Sequence, residues 1–254
     1  MSILKAGAAQ AEITPIDSQF LRGYPHVERY STGVHDPLLS AALYLERADE
    51  KVLIISNDIV NFTKDQVRLI RKAIAEIVPI QPARILISAS HTHSGPTMVN
   101  NLSNHADSAV PDPDPAYIEL NRKGIVAAAA AAYKNAVEAE LFFCVADGSG
   151  VGTNRRDPSG VSDPEVPVLL AKNKDGAPIC CMICCNMHPT VLHEDSKLVS
   201  ADFPGAARQY LRDQVLGSDC TVLYHMGPAG NQSPRHVTRS NTFEESDRLG
   251  VILG

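Results

Sequence analysis

Positive charge is scarce in this 254-residue chain, where 23 Lys and Arg face 29 Asp and Glu for a net charge of −6. That leaves little to drive attachment to a phosphate backbone, so nucleic acid is not an expected partner. Long apolar runs are lacking too. The longest, Ile125 to Tyr133, is mostly alanine and covers about half of the roughly 20 residues that span a bilayer, so no transmembrane segment is expected. The start, Met-Ser-Ile-Leu-Lys-Ala-Gly, has no basic segment followed by an apolar stretch, which reads as no secretory signal. A cytoplasmic chain is the expectation, although a mature secreted chain has the same look. Six cysteines do not form a framework of loop staples, because Cys180, Cys181, Cys184 and Cys185 crowd one apolar segment; this suits a reducing compartment. Cys181 and Cys184 make a C-x-x-C, but Met182 and Ile183 between them are strand formers. Strand positions three apart face opposite ways about 10 Å apart, which disfavours a metal knuckle.

What is present is a globular composition, 44% hydrophobic and 20% charged, with neither an internal repeat nor a low-complexity linker. Strand-like and helix-like periodicities alternate, so a single α/β domain over 1–254 is expected, with mixed sheets flanked by helices. The strand candidates are Lys5 to Ile13, Ala41 to Arg47, Lys51 to Asn57, Arg84 to Ser90, Leu141 to Ala146, Val166 to Ala171, Ile179 to Met187 and Thr221 to His225. Lys172 to Gly176 reads as a hairpin turn. One helix opens at Thr63 with Gln66 three residues on, a capping box, and sets Val67, Ile70, Ile74, Ile77 and Val78 on one face. A second starts at Asp114-Pro115 and runs to about Ala139; a third spans Pro204 to Val215. Asn101 to Pro115 is polar, proline-rich and long for a connection, so it reads as a functional loop or a mobile lid.

Four polar clusters follow strands: Asp58, His91-Thr-His93, His188 and Ser233. Ligand sites in α/β sheets favour the strand C-terminal ends, where the active site is expected. His91 and His93 stand two apart and point the same way in extended backbone, so with a third histidine they resemble a zinc set. The competing reading is that each histidine only caps its strand by hydrogen bonding.

The surrounding text carries a resemblance. His91-Thr-His-Ser-Gly-Pro96, Asn154-Arg155, Asp163-Pro164 with Val168-Leu-Leu170, His188-Pro-Thr-Val-Leu192, Ser200-Ala-Asp-Phe-Pro-Gly205 and Gly230-Asn-Gln-Ser-Pro234 occur in one order. They follow Glu12-Ile-Thr-Pro15, Arg22-Gly-Tyr24 and Gly33-Val-His35. From about Ala6 to Pro234 the chain resembles the amino-terminal catalytic domain of neutral/alkaline non-lysosomal ceramidases. That resemblance implies one catalytic zinc and hydrolysis of an amide joining a fatty acid to a sphingoid base. It makes His91 and His188 metal ligands, His93 a proton-handling histidine beside the metal, Arg155 an arginine of the pocket, and Ser233 a serine facing the metal and the scissile amide. The family's remaining ligands, a glutamate and a tyrosine, lie further downstream than this chain extends.

Elementary chemistry agrees with those roles. An amide carbonyl is a poor electrophile, and zinc both polarises it and lowers the pKa of bound water towards about 7. His93 can take and return a proton. Arg155 suits a carboxylate or oxyanion, as does its neighbour Arg156, and a solvated surface pair is the plain alternative. Ser233 fits a nucleophile or oxyanion donor, or merely a Ser-Pro turn. His26, His105, His193, His225 and His236 have no motif context, so hydrogen-bonded or exposed roles are expected. Asp58 and His35 are candidates for support behind the ligands. The resemblance implies ceramide or a related lipid amide as substrate, but ceramide needs an apolar groove, and with no Trp and 5% aromatics a soluble N-acyl or other small amide is the rival substrate. The rival class is a non-catalytic binding or scaffold protein that keeps the fold and has lost the metal. Thr242 and Glu245 read as a capping box opening a last helix with Leu249 and Ile252 on its apolar face. Because that helix stops at Gly254 and two ligands are missing, a domain truncated at its C-terminus, or one completed by a second chain, is expected.

Overall fold

Apolar alternation builds all eight expected strands, and the computed structural model, which describes residues 2–99 and 110–254, joins them in one mixed sheet. They are β1 (Leu4–Glu12), β2 (Leu39–Arg47), β3 (Glu50–Asn57), β4 (Ile85–Ala89), β5 (Val137–Asp147), β6 (Glu165–Asn173), β7 (Pro178–Cys185) and β8 (Thr221–Met226). The order across the sheet is β8-β7-β6-β5-β1-β2-β3-β4. All neighbours are antiparallel except β3 with β4 and β7 with β8. The expected hairpin between β6 and β7 turns at Gly176, whose φ of +85° needs a residue without a Cβ.

Four helices flank the sheet among the described residues. In α1 (Lys64–Ala75) the Thr63 hydroxyl accepts from the Gln66 N–H, and the Gln66 side chain accepts from the Thr63 N–H, as the capping box requires. Ile70, Ile74 and Val78 are buried, but Ile77 lies in the turn after the helix and is exposed. The second helix, α2 (Pro115–Lys134), ends earlier than Ala139. Asn135 caps it and ties its side-chain amide to the Ala8 carbonyl at 3.1 Å, after which β-branched Val137 pairs with Ala6 and starts β5. The third segment is α-helical only over α3 (Phe203–Tyr210) and continues as a π-helical turn, Leu211–Leu216. In α4 (Phe243–Leu253) Leu249 is buried and Ile252 is not. Thr242 accepts from the Glu245 N–H, whereas the Glu245 carboxylate turns to Arg239 N–H and the Arg248 guanidinium, so the capping box is only half formed. Residues 101–109 of the expected lid, and His105 within them, lie outside the described residues.

The sheet folds over where β1 meets β5, because only Lys5↔Glu138 and Ala6↔Val137 are paired there. This lays β5 to β8 against β1 to β4. Ala6, Ala8, Ala41, Leu43, Ala139, Ala171, Cys180 and Leu223 fill the space between the two half-sheets. On the outside, Ile70, Ile74, Ile125 and Ala129 of α1 and α2 cover one half, and Phe203 and Leu249 of α3 and α4 cover the other. Cys180 faces the inner layer while Cys181 and Cys185 face α3 and α4. That is the opposite-face arrangement expected of a strand, and all six cysteines are free thiols. Each half-sheet contributes one parallel pair, and the two pairs run to the same edge. There the Ser56 hydroxyl donates to the Tyr224 carbonyl, and Ser88 meets the His225 Nδ1 at 2.7 Å.

Candidate metal centre

The histidines hang from that edge, one group on each half-sheet. His91 and His93 follow β4, and His188 follows β7. His91 has a φ of +68°, a left-handed conformation that a residue with a Cβ enters only under constraint. Its N–H donates to the Ile59 carbonyl at 2.9 Å. Thr92 donates to the Ser200 carbonyl at 2.7 Å, fixing the turn between the two histidines. Asp202 holds the other side, its carboxylate accepting from the N–H groups of Val191 and Leu192 just beyond His188. Burial pushes that carboxyl up to about 6.

Folding the halves together brings the three rings edge to face, with centroids 4.9 Å apart for His91 and His188, 5.1 Å for His91 and His93, and 5.7 Å for His93 and His188. One nitrogen of each lies within 4.8 Å of those of the others, so the group is able to hold a metal ion. Its chemistry fits one. The His91 Nδ1 meets the Val60 carbonyl at 2.9 Å and the His188 Nδ1 the Ala229 carbonyl at 2.6 Å. A carbonyl only accepts, so each Nδ1 carries the proton and each Nε2 keeps a lone pair. The His93 Nδ1 is buried and has no hydrogen-bond partner among the described residues. Burial holds all three imidazoles below their ordinary pKa. The charge of Arg155 pushes all three the same way, as neighbouring imidazoles do for His91 and His93 and Arg29 does for His93. Neutral rings are the form that binds a cation.

Arg155 donates from its guanidinium to the Gly230 carbonyl at 2.6 Å and from its backbone to the Asn231 carbonyl at 2.7 Å. Its charge reaches all three histidines, whereas Arg156 points to solvent. Ser233 is buried; its Oγ accepts from the Arg235 N–H at 3.3 Å, and its neighbour Gln232 supplies a carbonyl to the His188 N–H and Nδ1. The sequence thus places five site candidates in one neighbourhood. It gives no signal for Arg29, which is fully buried and donates to the carbonyls of His93 and Ser196 at 2.8 Å and to the Ser94 hydroxyl at 3.2 Å. Tyr24 packs between that guanidinium and the His93 ring. Gly23 at φ +140° lies so close to His93 that a Cβ there would stand 2.5 Å from the His93 Cβ. Asp58 pairs with Arg208, and His35 stacks on Phe243 and meets the Asp36 carboxylate at 2.8 Å; neither bonds directly to the three histidines among the described residues.

No family model and no curated protein sequence matches the chain. Solved structures do. The neutral ceramidase from Pseudomonas aeruginosa matches with a TM-score of 0.87 at 19% identity, over 100% of this chain and 44% of that one. A ceramidase complexed with C2 matches with a TM-score of 0.85 at 20% identity, over 100% and 43%. The chain has the fold of a neutral ceramidase domain. It spans less than half the length of either structure, and at this identity the likeness is one of fold.

Proposed function

We propose that the domain hydrolyses an N-acyl amide, with zinc held by His91 and His188 through Nε2. The observation that carries this reading is the convergence of three uncharged imidazoles, two with Nδ1–H tethered to carbonyls, on one point between the half-sheets. When bound, the zinc supplies Lewis acidity, polarising the amide carbonyl and easing ionisation of water. The remaining chemistry belongs to the side chains. Water adds its oxygen to the acyl carbon as the C–N bond breaks, giving a carboxylic acid and an amine. His93 takes the proton that water gives up and returns it to the leaving nitrogen. Arg155 stabilises negative charge on the acyl oxygen, and the Ser233 hydroxyl, whose oxygen already accepts from the Arg235 N–H, gives a hydrogen bond to the same oxygen. Ceramide is the substrate that the two structural neighbours suggest, and a smaller N-acyl compound fits the same bond chemistry. Elemental analysis of the purified chain and of its His91→Ala, His188→Ala double variant tests the proposal. One equivalent of zinc in the parent and none in the variant is expected; a full equivalent in the variant would overturn the ligand assignment.

A further inference from the structure

Residues 21–34 connect the two groups of histidines. On the way in, Leu21–Arg22 pairs antiparallel with Gly95–Pro96, just after His93. On the way out, the Thr32 N–H donates to the Lys197 carbonyl at 2.9 Å and Gly33–Val34 pairs parallel with Leu198–Val199, at the end of the segment that starts at His188. Between these anchors the loop touches His93 at its Cβ, its ring and its carbonyl. Gly23 lies against the Cβ, the Tyr24 ring meets the imidazole edge to face with centroids 5.5 Å apart, and the Arg29 guanidinium holds the carbonyl. Tyr24 and Arg29 reach the other segment as well. The Tyr24 hydroxyl donates to the Leu192 carbonyl at 3.1 Å, and the Arg29 Nε donates to the Ser196 carbonyl. Each of these two side chains therefore has one contact on the segment of His93 and one on the segment of His188.

Arg29 is the stiffer tie. Its guanidinium is planar, so the His93 carbonyl, the Ser94 hydroxyl and the Ser196 carbonyl are held at one set of mutual positions. An apolar side chain of the same bulk would fill the space without burying a charge, and would fix none of the three. His93 needs such a tie more than its neighbours do. The Nδ1 atoms of His91 and His188 are tethered to carbonyls, whereas that of His93 has no hydrogen-bond partner among the described residues. The direction of its ring is set by packing and by the backbone behind it. We propose that Tyr24 and Arg29 are positioning residues for His93: by tying its turn to Leu192 and Ser196, they aim its ring at the point it shares with His91 and His188. This role rests on the reaction proposed above, in which His93 carries the proton, and both side chains act on that reaction only through His93.

NMR of the imidazole nitrogens, on metal-free chain carrying isotope-labelled histidine, tests the positioning without reference to turnover. His91→Gln, His93→Gln and His188→Gln assign the ring signals. Tyr24→Phe keeps the aromatic ring and removes only the bond to Leu192, and Arg29→Lys keeps the charge and removes the planar fork. Both variants should shift or broaden the His93 ring signals and leave those of His91 and His188 at their parent positions. His93 signals that stay as in the parent in either folded variant, or three rings that move together, would overturn the proposal. With zinc and an N-acyl amide, Arg29→Lys should lower kcat by about 10- to 100-fold with KM and zinc content near those of the parent. In a His93→Ala background the same change should cost less than about twofold, because residues that act through one another are not additive; an equal loss in both backgrounds would also overturn the proposal. Failure of the reaction itself reads differently, as a parent that binds no zinc or turns over no amide, and the ring spectra decide the positioning in that case too.

Discussion

Arg29 and Arg208 are both buried, and their surroundings differ in kind. Arg208 grips Asp58 through two parallel bonds of 2.7 and 2.5 Å, and the carboxylate also accepts from the Leu39 N–H at 2.8 Å. Arg29 has no carboxylate in its grip; carbonyls, one hydroxyl and the face of Tyr24 surround it, and the segment it holds carries His93. The first arrangement closes its charge within the protein and ties α3 to the end of β3. The second leaves positive charge beside the His93 imidazole, with only the more distant carboxylates of Asp195 and Glu194 to offset it.

Removing a side chain from the open group should separate function from stability. His93→Ala is expected to lower amide turnover by about 10² to 10⁴ while zinc content and unfolding temperature stay as in the parent; rate assays beside elemental analysis check this, and an unchanged rate would remove His93 from the proton path. At the closed pair the expectation reverses. Asp58→Ala strands a buried guanidinium at a cost of about 3 to 5 kcal/mol. At roughly 2 to 4 °C per kcal/mol for a domain of this size, its melting temperature should fall by about 6 to 20 °C. Zinc content measured well below that transition should hold at the parent value. Loss of metal with intact stability would mean that the pair supports the centre after all.

A third buried group sharpens the contrast. His225 meets Ser88 through Nδ1, its Nε2 has no partner among the described residues, and burial lowers its pKa to about 4. An imidazole depressed in the folded state stabilises fully above its unfolded pKa of about 6.5, and that stability is lost as pH falls towards 4, up to about 3 kcal/mol. Asp202, pushed up to about 6, works in the opposite sense over the same window, since its protonation favours the fold. The parent should therefore lose more stability between pH 6.5 and 4 than His225→Asn does. Denaturant unfolding at the two pH values reads the difference, and parallel curves would count against the buried neutral ring.

Most of this fold was legible because its rules are local. Period-two apolar alternation marks β1 through β8 within a few residues at most ends, and Thr63 with Gln66 announces α1 outright. Local rules fail where a tertiary contact decides. The alanine block carries helical propensity past Lys134, but the bond from Asn135 to Ala8 and the pairing of Val137 with Ala6 end the helix. Ile77 and Ile252 fit a helical face by spacing and are still exposed, because among the described residues nothing covers them fully. At the centre, His91, His93 and His188 could be singled out because motifs surround them. Arg29 could not, since nothing near it in sequence reveals that its partners are His93 and Ser196, far along the chain. Nor does a linear pattern show that the sheet folds back at β1 and β5, the step that brings His188 to His91.

That fold-back has mostly small side chains at its middle, five alanines and one cysteine beside Leu43 and Leu223. His91 is suspended from one half-sheet and His188 from the other, so the gap between their rings is measured out by the thickness of a layer that touches neither. The alanines act as a shim. A larger residue in place of Ala41 or Ala171 would spread the jaws on which the histidines are mounted, and tolerance at the centre, a matter of tenths of an ångström for a metal bond, is inherited from how little the interior of the sandwich is allowed to hold.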